Sequence, residues 1–193
     1  MRIRKVFYVM LAVGVAVLAA CGQNEIEDAL EWPVEDFTFT NQEGESFGSS
    51  DLEGKVWLAD FIFTNCPDIC PPMTANMLKI QELAKEEGLD DIEFVSFSVD
   101  PEVDTPEVLK EFGDRFYLDY SNWNFVTGYG QDEIEAFAMD NFKTLVQKPD
   151  NEDFVIHQGY FFLVDQNGEV MKSYSGASDV PIDEIIEDMK ILQ

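Results

Sequence analysis

Ten residues constrain this chain more than any others: Phe63-Thr64-Asn65-Cys66-Pro67-Asp68-Ile69-Cys70-Pro71-Pro72. They stand between two segments of different periodicity. Before them, Val56 to Phe63 is a nearly unbroken apolar run, the form of a buried strand. After them, Met73, Met77, Ile80, Leu83 and Ala84 recur at helical spacing toward Glu87. Pro71 and Pro72 suit the first helical turn, where a missing N–H costs nothing. Two thiols therefore sit where a central strand hands over to a helix, the place where open α/β sheets put their ligands. Cys70, beside the helix start, is expected to ionise readily, because free amides and the helix dipole favour an anion there.

Thiolates so placed attack disulfides or bind soft metals. The Cys-x3-Cys spacing is one residue wider than the common redox spacing. It lets the sulfurs open around a metal and still close into a disulfide. The competing reading is a structural disulfide with no chemistry.

The N-terminus has the form of an export signal. Arg2-Ile3-Arg4-Lys5 is a basic cap, and Val6 to Ala20 is apolar or small, somewhat short for a membrane span. Leu18-Ala19-Ala20-Cys21 resembles the bacterial lipobox, whose cysteine is lipidated and becomes the new N-terminus. The expected organisation is a signal peptide over 1–20, a lipid-anchored acidic spacer over 21–34 and one domain over 35–193. The protein is then tethered to the bacterial cell membrane on its extracytoplasmic face. Cys21 belongs to the anchor, which leaves Cys66 and Cys70 as the pair. Formal net charge is −27, and three units more negative without the first twenty residues, which hold Arg2, Arg4, Lys5 and no acid. A surface that acidic repels nucleic acid. It also draws cations and raises thiol pKa values in general.

Phe37–Thr40 and Ser46–Gly48 read as a β-hairpin, and Ile92–Val99 as a second buried strand. Thr105 and Pro106 suit the start of a helix from Glu107 to Phe116. Trp123–Thr127 is a third strand and 132–142 a helix. A hairpin insertion follows, Lys143–Val146 against Asp153–Ile156 across a polar turn. Tyr160–Val164 and Glu169–Tyr174 form a hairpin around Asp165–Gly168, and Ile182–Leu192 is a closing helix. This order, with thiols after an early strand, is that of a thioredoxin-like α/β sheet.

His157 is the sole histidine, between the insertion and the next strand. In a thioredoxin-like sheet that segment can border the thiol site, and thioredoxins place a cis-proline there. This chain has no proline between Asn151 and Val180. A histidine in that place exchanges a peptide clamp for a candidate metal ligand. Two thiolates and an imidazole suit copper: the sulfurs hold Cu(I) and the nitrogen helps accept Cu(II).

Cys66-Pro67-Asp68-Ile69-Cys70-Pro71 after Phe63-Thr64 resembles the Cys-Pro-x-x-Cys-Pro signature of the Sco/SenC copper-chaperone family. Asp100-Pro101 with Asp104-Thr105-Pro106 resembles that family's Asp-Pro-x-x-Asp-Thr-Pro segment, and His157 falls where its histidine ligand lies. Gln158 departs from the serine or threonine that often follows that histidine. The resemblance covers the chain from about Phe37 onward. It implies copper ligation by Cys66, Cys70 and His157. It also implies assembly of the binuclear copper centre of cytochrome c oxidase, with the copper-bearing subunit as partner. Asp68, Asp100 and Asp104 are candidates to support the ligands from outside, although turn and cap chemistry accounts for Asp100 and Asp104 equally. A monomer is expected. The rival readings are a thiol–disulfide oxidoreductase and a thiol peroxidase using Cys66. No arginine near the motif and an acidic surface speak against the peroxidase.

Overall fold

The computed structural model describes residues 26–150, 152 and 154–193; the expected signal peptide and Cys21 lie outside them. Among the described residues no helix is long and apolar enough to cross a membrane.

Among the described residues there are ten strands and five helices. The strands are β1 (Trp32–Pro33), β2 (Thr38–Asn41), β3 (Ser46–Gly48), β4 (Val56–Ile62), β5 (Ile92–Ser98), β6 (Trp123–Thr127), β7 (Val146–Gln147), β8 (Ile156–His157), β9 (Tyr160–Val164) and β10 (Glu169–Ser175). The helices are α1 (Ser49–Leu52), α2 (Cys70–Glu86), α3 (Pro106–Asp114), α4 (Gln131–Phe142) and α5 (Ile182–Leu192). Eight strands form one sheet in the order β1-β10-β9-β4-β5-β6-β2-β3, while β7 and β8 pair apart from it. The parallel centre β4-β5-β6 flanked by antiparallel β9-β10 is a thioredoxin-like sheet. The hairpins at β2-β3 and β9-β10 and the strands β4, β5 and β6 lie within a residue or so of the sequence reading, and the expected caps of α2 and α3 form. Gly88 (φ +77°) closes α2, with Leu89 N–H to Ala84 O at 2.9 Å and Gly88 N–H to Lys85 O at 3.2 Å. Thr105 Oγ1 caps α3 by accepting from Val108 N–H.

Two differences are informative. The sheet begins earlier than the hairpin, because Trp32 and Pro33 pair with Val170 and Glu169, and Ile26 is already buried. The insertion's ladder is shorter and later than predicted. Lys143 takes a left-handed conformation (φ 52°) to end α4, and Thr144 and Leu145 bond the Gln158 side chain instead of a strand.

The core lies on both faces of β4 and β5. On one face Phe61 stacks on Phe97, and Phe137 and Phe142 of α4 pack against Phe97. The other face, turned to α2, carries Leu58, Asp60 and Ile62 beside Phe94, Ser96 and Ser98. Asp60 is fully buried there, and neither carboxyl oxygen has a hydrogen-bond partner. Burial pushes its pKa from 3.8 to about 7, opposed by the nearby Ser96 hydroxyl, too far or misdirected for a full hydrogen bond, and by the charge of His157. The folded chain thus binds a proton at Asp60 that the unfolded chain releases between those values. Stability attributable to Asp60 is therefore greatest below the unfolded pKa and falls as pH rises through the folded one. Asp60→Asn is expected to remove that decline, gaining on wild type as pH rises from about 4 to about 8. Parallel thermal melts across that range check it; curves that stay parallel exclude the effect.

Candidate metal centre

The loop after β4 bends back on itself, with Cys66 N–H donating to Phe63 O at 3.2 Å. It then enters α2 with Ile69 as N-cap and Cys70 as first residue, followed by the two prolines. Cys70 points inward and is wholly buried, whereas Cys66 keeps 9% of its surface exposed. Both are free thiols. His157 comes from β8, opposite Val146 in the small hairpin, and is half-buried. Its ring stands edge-on to Phe63, centroids 5.7 Å apart. His157 Nε2 lies 3.3 Å from Cys70 Sγ. The donor atoms of Cys66, Cys70 and His157 all lie within 4.8 Å of one another, a set that could hold a metal ion. Ligands on one ion at thiolate and imidazole bond lengths stand at most about 4.6 Å apart, so the three residues fit with small side-chain adjustment. In the tautomer protonated at Nδ1, His157 donates to Gln158 O at 3.3 Å and keeps the Nε2 lone pair toward the sulfurs.

The two thiols are inequivalent, and in the opposite sense to the sequence expectation. Cys66 is the acidic one, held well below the ordinary thiol range. The Cys70 thiol donates to it, and the amides of Cys70 and Asp68, together with His157 when Nε2 carries the proton, add to the effect against the cost of burial. The Cys70 amide lies 3.4 Å from Cys66 Sγ. Cys70 itself is pushed far up, by donating to Cys66, by burial, and by the negative charges of Cys66 and Asp60. The helix start does favour a thiolate, but its first free amide points back at residue 66. These local donors also outweigh the general effect of an acidic surface, which removes one ground against nucleophilic chemistry at Cys66.

The three candidate supporting acids separate. Asp68 is exposed, and its backbone amide, not its carboxylate, touches the site. Asp104 is fully buried and accepts from Thr64 N–H at 3.2 Å, Thr64 Oγ1 at 2.5 Å and Ser98 Oγ at 2.6 Å. It therefore holds the approach to Cys66. Asp100 meets no ligand; its Oδ1 pairs with Lys148 Nζ at 2.8 Å. Sequence reasoning missed Asp60 and Lys148. A lone acid inside an apolar run was the available signal for the first.

A thioredoxin-like domain that gathers two thiols and one imidazole at its strand–helix junction defines a class of dithiol proteins competent for soft metals and for disulfide chemistry. The chain belongs to the SCO1/SenC family, whose pattern matches residues 29–192. It is 52% identical over 173 residues to the SCO1 protein homolog of Bacillus subtilis strain 168, covering 90% of this chain and 89% of that one. The crystal structure of a SCO1/SenC family lipoprotein from Bacillus anthracis superposes with TM-score 0.83 at 58% identity, over 86% of this chain and 98% of the other. BsSco, described as having a disulfide switch and as a member of the Sco family of cytochrome c oxidase assembly proteins, gives 0.81 at 51% identity, over 88% and 98%. Yeast Sco1 with copper bound gives 0.65 at 26% identity, over 82% and 89%.

The inequality of the thiols has a direct readout. Iodoacetamide at about pH 5, where an ordinary thiol is almost wholly protonated, is expected to modify Cys66 and spare Cys70. Peptide mass spectrometry checks it; equal modification contradicts the assignment.

Proposed function

We propose that this protein is a membrane-anchored copper-binding factor that assembles the binuclear copper centre of cytochrome c oxidase. It acts on the copper-bearing subunit by delivering copper, by thiol–disulfide exchange, or by both with the same residues. The observation that carries this reading is the convergence of Cys66, Cys70 and His157 within 4.8 Å. Two sulfurs satisfy Cu(I), and a nitrogen added to them accommodates Cu(II). The copper-bound yeast relative and the assembly role of BsSco's family support the same reading. Pure oxidoreductase action is the second reading, favoured by the low pKa of Cys66. In that reaction the Cys66 thiolate attacks a target disulfide and one target sulfur leaves as thiolate. The Cys70 sulfur, giving up its proton, then displaces the second from Cys66.

The anchor rests on Leu18-Ala19-Ala20-Cys21 and on the description of the Bacillus anthracis relative as a lipoprotein. Mass spectrometry of the membrane form is expected to find lipid on Cys21. An unmodified Cys21 there excludes the anchor.

Copper is tested by thermal melts of reduced wild type, Cys66→Ala and His157→Ala with and without Cu(II). At a hundredfold excess of free ion over Kd, wild type should gain about 2.7 kcal/mol. Both variants should lose most of that gain, while Cu(I) binding survives His157→Ala. A His157→Ala melt that rises with Cu(II) as far as wild type puts the oxidoreductase reading first.

A further inference from the structure

His157 reaches the thiols from a hairpin whose ladder is only Val146 and Gln147 against His157 and Ile156. Two strands alone are marginal in water, so other contacts must hold this arm. At its base, Gln158 Oε1 accepts from Thr144 Oγ1 at 3.1 Å and Leu145 N–H at 3.2 Å, and Gly159 O accepts from Gly176 N–H at 2.8 Å. Beyond the base, Val146 and Val155 are buried in the core, and the polar hold is Lys148. Its backbone N–H donates to Glu135 Oε1 of α4 at 2.8 Å. Its ammonium donates to Asp100 Oδ1 at 2.8 Å and Glu102 Oε2 at 3.3 Å. The Asp100 side chain is 3% exposed and that of Lys148 17%, so this pair is shielded from water. Glu102 is 74% exposed, and its share is small.

Asp100 opens the loop after β5 that also carries Asp104, and Asp104 holds Thr64 two residues before Cys66. One loop therefore grips the thiol segment with Asp104 and the histidine arm with Asp100. We propose that the Lys148–Asp100 ion pair is the device that positions His157 against Cys66 and Cys70, and so decides whether the centre offers three donors or only two sulfurs. The inference rests on the copper reading of the centre. Neither residue touches the donors; both are positioning residues, and they act through the arm. The consequence is selective. Loosening the pair withdraws the nitrogen that Cu(II) needs and leaves the dithiolate that satisfies Cu(I).

The experiment compares wild type, Lys148→Met, Lys148→Arg, His157→Ala and the double variant Lys148→Met/His157→Ala in the reduced, folded domain. Competition titrations give the affinity for each copper oxidation state. Lys148→Met should weaken Cu(II) about 10- to 100-fold, the range for partners that orient metal ligands. Its Cu(I) affinity should stay within about threefold. Lys148→Arg, which keeps the cation, should lie closer to wild type than Lys148→Met. With His157 already removed, adding Lys148→Met should change nothing further. Equal weakening of both oxidation states, or an additive loss in the double variant, overturns the proposal. A metal-free readout runs beside this: amide hydrogen exchange over 145–158 should speed up in Lys148→Met, and unchanged exchange also overturns it. If Lys148→Met fails to fold, Asp100→Asn removes the charge at nearly constant shape and is judged by the same readouts. Absence of Cu(II) binding by wild type overturns the copper reading instead, and hydrogen exchange then decides the clamp by itself.

Discussion

The contact on which this molecule turns is the backbone amide of Cys70 aimed at the sulfur of Cys66. A helix must leave its first amides without intrahelical partners, and an anion is the natural occupant of that end. Here a residue of the same chain supplies the anion. The bend that brings Cys66 back to the helix start is closed by its own amide on Phe63. The strand ahead of it is buried along its whole length, so the bend has no freedom to drift. A thiolate held in this way is both a nucleophile and a soft ligand.

The rest of the centre is assembled by tension between distant segments. Asp104 fastens the approach to Cys66, and Asp100 fastens the hairpin that carries His157. Both belong to one short loop at the C-terminal end of β5, the sheet edge where open α/β folds place ligands. The acids in this loop are therefore structural grips, and the sulfur and imidazole donors are left as the reactive atoms. Gln158, next to the histidine, accepts from Thr144 and Leu145 and braces the base of the same arm.

Beneath the centre lies an unpartnered acid. Asp60 is buried without a hydrogen bond, and its charge is among the causes that keep Cys70 protonated. A buried carboxyl with no partner costs stability, and such costs tend to collect where a chain carries function. The acidic exterior acts differently: it is screened by salt and solvent, and it yields to the few direct donors at Cys66.

Much of this was legible in the sequence, because it follows from local chemistry. The nearly unbroken apolar run Val56–Phe63 determined a central strand, Pro71-Pro72 the start of a helix, and Gly88 and Thr105 helix ends. The pairing of Cys66 with Cys70 and the candidacy of His157 followed from residue types that have few other uses. What the sequence could not determine is direction. Whether the helix start favours Cys66 or Cys70 depends on where one amide points, and the answer was the residue four positions before the helix's first. Whether Asp100 is a ligand or an anchor depends on Lys148, forty-eight residues away. Both were decided by tertiary structure, because hydrogen bonds and buried charge depend on vectors and partners that chain order does not encode.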